Sequence, residues 1–100
     1  MTVQEFFAQL PERADPEKTA GMSNTYVFDV EGVGQWTVAV DDGAVTVSEG
    51  ASEADCTIAA SEETLVKIAK GEANATTAYM TGKLKIQGDM GAALKLQKLF

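Results

Sequence analysis

The chain has no histidine and one cysteine, Cys56. Histidine-dependent triads are therefore excluded, no zinc cluster of the Cys/His type can be assembled, and no disulfide can close within the chain. No apolar run approaches the roughly 20 residues that a helical membrane span needs. The N-terminus carries Glu5 and Pro11 with neither a basic segment nor a long apolar one, so no secretory signal is read there. The final Lys98-Leu99-Phe100 falls short of a peroxisomal Ser-Lys-Leu ending. A soluble cytoplasmic protein is the expectation.

Bases are also scarce. Fifteen acids face eight bases, a net charge of −7, which argues against wholesale nucleic-acid binding. The deficit is uneven. Residues 1–66 hold Arg13 and Lys18 against thirteen acids, a balance of −11, whereas residues 67–100 hold six lysines against Glu72 and Asp89, a balance of +4. The C-terminal third thus has a local preference for anions such as a carboxylate, a phosphate or a membrane surface, unless the imbalance is only a feature of a solvated face.

What remains is ordinary globular material: 100 residues, 45% apolar, enough for one modest core and hence a single domain over 1–100. Thr2-x-x-Glu5 is a capping box, and Val3, Phe6, Phe7 and Leu10 follow at helical spacing, giving a short amphipathic helix that Pro11 should end. Residues 11–24 read as a polar connection holding about one turn of helix. The period then changes to two. Tyr26, Phe28 and Val30 share one face of a strand; Trp36, Val38 and Val40 share a face of the next; and Asp42-Gly43 marks a hairpin into Val45 and Val47.

A fourth strand is read over "DCTIAA", with Cys56 and Ile58 on one side. Ser61, Glu62 and Glu63 open a helix whose stripe is Leu65, Ile68 and Ala69, closed by Lys70-Gly71. A helical turn or two follows in "NATTAYMT". Leu84 and Ile86 alternate with Lys83, Lys85 and Gln87 in a fifth strand, after which Asp89 caps a helix running to the end. Five short strands and three or four helices imply an α+β two-layer domain, an open sheet covered on one face by helices.

Gly82-Lys83 and Gly88-Asp89 invite a phosphate-loop reading, which fails. A phosphate loop places its Gly-Lys between strand and helix, whereas this one precedes the strand, and the true junction carries an acid that repels phosphate. The adjacent acids Asp41-Asp42 and Glu62-Glu63 diverge in a turn and at a helix start. Cys56 shares an apolar strand face with Ile58 and lacks an activating base, which suits an inert thiol. No catalytic residue, metal ligand or cofactor is nominated.

The last helix is unusual. Gly91, Lys95 and Lys98 occupy an arc of about 60° and the remainder is apolar, except that Gln97 falls between Ala93 and Met90. A glutamine amide there must bond a backbone carbonyl or meet the polar group of a ligand, because an unsatisfied one costs about 1–3 kcal/mol. Ala69, Ala75, Ala78, Ala92 and Ala93 put small residues over the sheet, where either close packing or an unfilled gap results, and Met22, Met80 and Met90 are flexible fillers that suit both.

Several of these features occur together in one known family. The aromatic strand followed by Gly34-Gln35-Trp36, the Asp42-Gly43 hairpin, Ala54-Asp55 entering a strand, Ser61-Glu62-Glu63 opening a helix and Gly71 closing it are joined by Met80-x-Gly82-Lys83-Leu84-Lys85-Ile86-x-Gly88-Asp89 and a terminal Leu-x-x-Leu-Phe. Over about residues 18–100 the chain resembles the sterol carrier protein type 2 family of lipid-binding domains. The resemblance implies a five-stranded, mainly antiparallel sheet with helices on one face and a hydrophobic tunnel between the layers, which takes a fatty acid, a fatty acyl-CoA, a sterol or another long-chain lipid. It implies walls from Phe28, Trp36, Met80, Leu84 and Ile86, and from Met90, Leu94, Gln97 and Phe100 on a last helix that helps close the tunnel. Without a peroxisomal ending or an attached enzyme domain, a free-standing microbial carrier is the expected form, non-catalytic and with transient membrane contact at most. The alternative is an accessory domain whose apolar groove docks a protein or serves a lipid-metabolising enzyme.

Overall fold

In the computed structural model, which describes residues 2–13 and 16–95, Thr2 caps the first helix. Its hydroxyl accepts the Glu5 N–H at 3.2 Å and donates to the Glu5 carboxylate at 3.3 Å. Helix α1 (Val3–Arg13) buries Val3, Phe6, Phe7 and Leu10, as the spacing predicts. Pro11 does not end it. The helix continues to Arg13 with Pro11 inside its last turn, where the proline ring leaves the Phe7 carbonyl without its N–H donor. The connection holds one short helix, α2 (Pro16–Thr19).

Strands β1 (Ser23–Val30), β2 (Gly34–Asp41) and β3 (Ala44–Glu49) form the expected meander, with Phe28 opposite Trp36, Tyr26 opposite Val38, and Val38 opposite Val47. The β2–β3 turn needs two residues at positive φ, and Asp42 (+44°) and Gly43 (+88°) supply them. Asp42 also accepts the Gly21 N–H on its carboxylate at 2.8 Å and donates its own N–H to the Met22 carbonyl at 2.7 Å. The hairpin tip is thereby fastened to the chain entering β1.

Strand β4 (Cys56–Ala60) lies parallel to β1, with Cys56 beside Tyr26 and Ile58 beside Phe28; β5 (Leu84–Gly88) runs antiparallel to β4 at the sheet edge. The order is β3-β2-β1-β4-β5, so the sheet is mixed, with one parallel pairing among mainly antiparallel ones. Helices α3 (Glu62–Ala69), α4 (Ala75–Met80) and α5 (Met90–Leu94) are capped by Ser61, Asn74 and Asp89, each accepting backbone N–H groups on its side chain. Helices α3 and α4 both end in the paired bonds of a Schellman motif: Glu72 and Gly71 donate to Lys67 and Ile68, and Lys83 and Gly82 donate to Ala78 and Tyr79.

The core lies between the sheet and these helices, and it holds Tyr26, Phe28, Val30, Trp36, Val38, Ile58, Leu65 and Leu84. The opposite face of the sheet is not simply open to water. The β3–β4 connection crosses it, held by the Thr37 hydroxyl donating to the Gly50 carbonyl at 2.7 Å and by paired bonds between Asp55 and Thr25. Val27 and Thr37 are buried beneath it.

Candidate functional site

The nominated wall residues fall into three groups. Phe28 and Trp36 belong to an aromatic cluster closed by α1. The Phe7 ring stacks on Trp36 with centroids 4.8 Å apart and planes at 15°, and it meets Phe28 at 5.3 Å. Phe6 completes the cluster edge-on against Phe7 at 5.3 Å. A hollow of about 230 Å³ between α1 and the β2–β3 hairpin is lined by Phe7, Ala8, Pro11, Trp36 and Val47 among others. The α1 stripe is plain in the sequence, but that it covers Trp36 is a tertiary fact with no local signal.

Leu84, Ile86, Met80 and Met90 form the second group, around the edge strand β5. Leu84 is buried and Ile86 half-buried, both on the helix-covered face. Among the described side chains, the flanking helices turn small residues inward, Ala75 and Ala78 from α4 and Ala92 and Ala93 from α5. Their large apolar side chains point out: Tyr79 is 42% exposed, Met80 79% and Met90 44%. Met80 therefore does not line the interior. At 100° per residue it sits about 200° around the helix from Ala78, so the rotation that buries the alanines exposes the methionine. In the third group, Leu94 is the last residue of α5, and its side chain, with Gln97 and Phe100, lies outside the described residues.

Helix α5 is held to the sheet from beneath. The Tyr26 hydroxyl, fully buried, donates to the Ala92 carbonyl at 2.6 Å. The Asp89 N–H donates to the Asp55 carbonyl at 2.8 Å, while the Asp89 carboxylate accepts the Gly91 and Ala92 N–H groups. Burial, aided by Cys56 once it ionises at alkaline pH and by the Asp55 and Asp89 carboxylates, pushes the Tyr26 phenol well above its ordinary range. Burial and the same two aspartates push the Cys56 thiol up to about 11. Such a thiol stays protonated at neutral pH and is a poor nucleophile.

A larger groove, about 550 Å³, runs between α3 and α4, with Glu63, Lys67, Thr77 and Lys83 along it and Ala73 and Ala78 in its wall. Lys67 pairs with Glu63 at 3.0 Å. Its hydrogen bond and charge, with a smaller contribution from Lys83, hold the exposed Glu63 carboxyl below its usual value. None of the nominated residues lines this groove. Among the described residues no cluster of three His, Cys, Asp or Glu could hold a metal ion, and no helix is long and apolar enough to cross a membrane.

Residues 3–100 match the model of the SCP-2 sterol transfer family. The chain is 34% identical to hydroxysteroid dehydrogenase-like protein 2 of Xenopus laevis over 97% of its own length, and it spans 24% of that relative. The curated relatives matched first are thus about four times longer than the chain. Among solved structures, the sec-alkylsulfatase Pisa1 from Pseudomonas sp. superposes with a TM-score of 0.84 at 27% identity, over 99% of this chain and 16% of that one. The sterol carrier protein domain 2 of Helicoverpa armigera superposes with a TM-score of 0.77 at 31% identity, over 97% of this chain and 84% of that one.

Proposed function

The chain belongs to the SCP-2 sterol transfer family, a family of lipid-binding and lipid-transfer domains, and from that premise we propose that residues 1–100 act as one domain that takes a long-chain lipid between sheet and helices on the β5 side. The lipid is a fatty acid, a fatty acyl-CoA or a sterol-like molecule. The observation that carries this reading is the inversion around β5. Alanines face the core from α4 and α5, while Tyr79, Met80 and Met90 are left on the outside. Helices that served only to fill a core would turn their large side chains inward. Here the wall is thin and the uncommitted apolar surface lies at its margin, which suits a site that must open to a flexible chain. Leu84 and Ile86 form the sheet wall of that site, and Leu94, Gln97 and Phe100 extend it along the last helix. Phe28 and Trp36 form its inner end, against the cluster under α1.

The energetics suit a carrier. Burying about ten methylenes gains roughly 8 kcal/mol at about 0.8 each. Association costs about 4–15 kcal/mol in lost freedom, so a modest net affinity is left, compatible with release. Lys83 and Lys95, both exposed, supply the cations that would orient a carboxylate or phosphate at the mouth. No reacting group is proposed within the domain.

Mass spectrometry tests the reading directly, first on the native protein and then on its organic extract. A bound fatty acid, acyl-CoA or sterol is the expected result. A clean mass after incubation with a mixed lipid panel would overturn the carrier reading. The accessory-domain reading has its own support, because the dehydrogenase-like and alkylsulfatase relatives carry the matching segment as a quarter or less of their length. Under that reading the same apolar margin docks a protein surface, and sedimentation would show association at micromolar concentration.

A further inference from the structure

We propose that the free edge of β3 is a docking strand for a basic, extended segment of another protein, which pairs with β3 as an added strand and places one aromatic side chain in the hollow beside α1. The proposal goes beyond the lipid-binding reading and does not depend on it.

The sheet order leaves β3 and β5 at its two margins, and the margins are unlike. Strand β5 is preceded by Lys83 and carries Lys85, both exposed, and lysines commonly keep a sheet edge from pairing with another chain. Strand β3, with Ala44, Val45, Thr46, Val47, Ser48 and Glu49, holds no lysine, arginine or proline. The register decides which of its backbone groups are free. A two-residue hairpin closes on a hydrogen-bonded pair, here Asp41 with Ala44, and such pairs then alternate along the ladder at Ala39 with Thr46 and Thr37 with Ser48. The Gly50 N–H on the Gln35 carbonyl at 2.8 Å continues the series. Val45, Val47 and Glu49 therefore turn their N–H and C=O groups away from β2, toward the margin, and among the described residues these groups meet no other backbone partner.

The same three residues stand opposite Val40, Val38 and Trp36, on the helix-covered face. A strand added at this edge sets alternate side chains on that face, next to the hollow between α1 and the hairpin. The hollow, about 230 Å³, is lined by Phe7, Pro11 and Trp36 and by Val47 and Glu49 of the edge itself. A cavity of about 150 Å³ holds benzene, so one aromatic side chain fits, with the Phe7 and Trp36 rings as its neighbours. Charge then selects the partner. Acids stand at both ends of the edge, Asp41 at the hairpin and Glu49 at the far end, exposed and without an ion pair among the described residues. A second copy of this chain would bring a charge of −7 against −7. A segment with a lysine or arginine near each end meets opposite charge at both.

The probe is a synthetic peptide of eight residues, blocked at its ends, with alternating valine and threonine, a central phenylalanine and a lysine at each end; a second peptide has glutamates for the lysines. With the lysine peptide at ten times Kd, amide hydrogen exchange at Val45, Val47 and Glu49 of the full chain should slow about tenfold, while Thr46 and Ser48, already bonded to β2, change less. Trp36 emission should shift as the phenylalanine enters the hollow. Val47→Pro removes one outward donor and leaves the β2 ladder whole, so it should abolish the protection at Val45 and Glu49. Glu49→Lys, an exposed change that keeps the fold, should weaken the lysine peptide about two- to tenfold and tighten the glutamate one. Unaltered exchange at Val45, Val47 and Glu49 with millimolar lysine peptide overturns the docking strand. Equal affinity for the two peptides overturns the basic partner, and protection without a change at Trp36 overturns the aromatic site. Protection that appears without peptide as protein concentration rises gives the edge to a second copy and overturns the proposal.

Discussion

Cys56 and Met80 show how differently single residues could be read before their surroundings were known. The strand pattern placed Cys56 beside Ile58 on an apolar face, and both are buried. Its thiol is raised from an ordinary 9.0 to about 11, chiefly by burial. In that interval the folded protein keeps a proton that the unfolded chain has lost. The unfolded state then binds fewer protons, so stability is fully present below pH 9 and falls as pH rises from 9 to 11. Tyr26, shifted in the same direction, steepens the loss. Denaturant unfolding at pH 8, 9, 10 and 11 should show this decline, with a shallower slope in Cys56→Ala; an equal slope would remove Cys56 from the account. Met80 was nominated as a wall residue by the family resemblance, yet a motif match does not reveal how the helix that carries it is rotated. It is the most exposed of the large apolar side chains noted around β5. Met80→Asp should leave the thermal midpoint within about 2 °C, since exposed positions tolerate substitution. It should weaken fatty-acid binding about tenfold if Met80 borders the mouth of the lipid site. Unaltered binding would move the site away from α4.

Helices and strands were legible wherever a cap or a period marked them, and illegible where a contact between elements decided the outcome. Ser61, Asp89 and the stripe of α1 announced their helices. Pro11 misled, because a proline disfavours helix through its missing N–H and its ring, yet α1 runs two residues past it to Arg13, and nothing local signals that continuation. That α1 covers Trp36 depends on packing alone. Phe7→Ala should therefore cost about 3–5 kcal/mol, and it should shift Trp36 emission to the red as the stacked ring that shields it is lost. A destabilisation below 1 kcal/mol would mean that α1 is dispensable. The β5–α5 junction is another case. In the sequence Gly88 is merely a residue between a strand and a cap, whereas in the fold it has φ +111° and a Cβ there would lie 2.5 Å from the Asp55 carbonyl oxygen and 2.9 Å from the Cys56 Cα. Both neighbours are backbone and cannot swing aside. Gly88→Ala should cost at least about 1–3 kcal/mol from its conformation alone and loosen the attachment of α5, read as a lowered thermal midpoint with faster amide exchange at Asp89–Ala92.

For the whole molecule, the two-layer α+β class followed from the alternation of periods, but the strand order did not. Placing β4 parallel to β1 requires the β3–β4 connection to cross two strands, and it does so over the outer face, burying Val27 and Thr37 where one-sided alternation predicts exposure. The connection also divides the labour of the two faces. The outer face is sealed by chain and hydrogen bonds, and the inner face is sealed under α1 by stacked rings. Beside β5 the buried side chains that α4 and α5 contribute among the described residues are alanines, so the described cover is weakest there. A lipid seated there adds contacts only to the folded state, and its effect must appear as stability. With free fatty acid at 100 times Kd, linkage gives about 2.7 kcal/mol. For a domain of about 100 residues that corresponds to a rise in thermal midpoint of roughly 10–20 °C. At one fixed free concentration the rise should instead grow with chain length, since each added methylene tightens binding by about 0.8 kcal/mol until the site is full. The chain length at which it stops growing measures the depth of the site. A midpoint unmoved by fatty acids of every length from eight to eighteen carbons would leave the thin wall as a docking surface for protein.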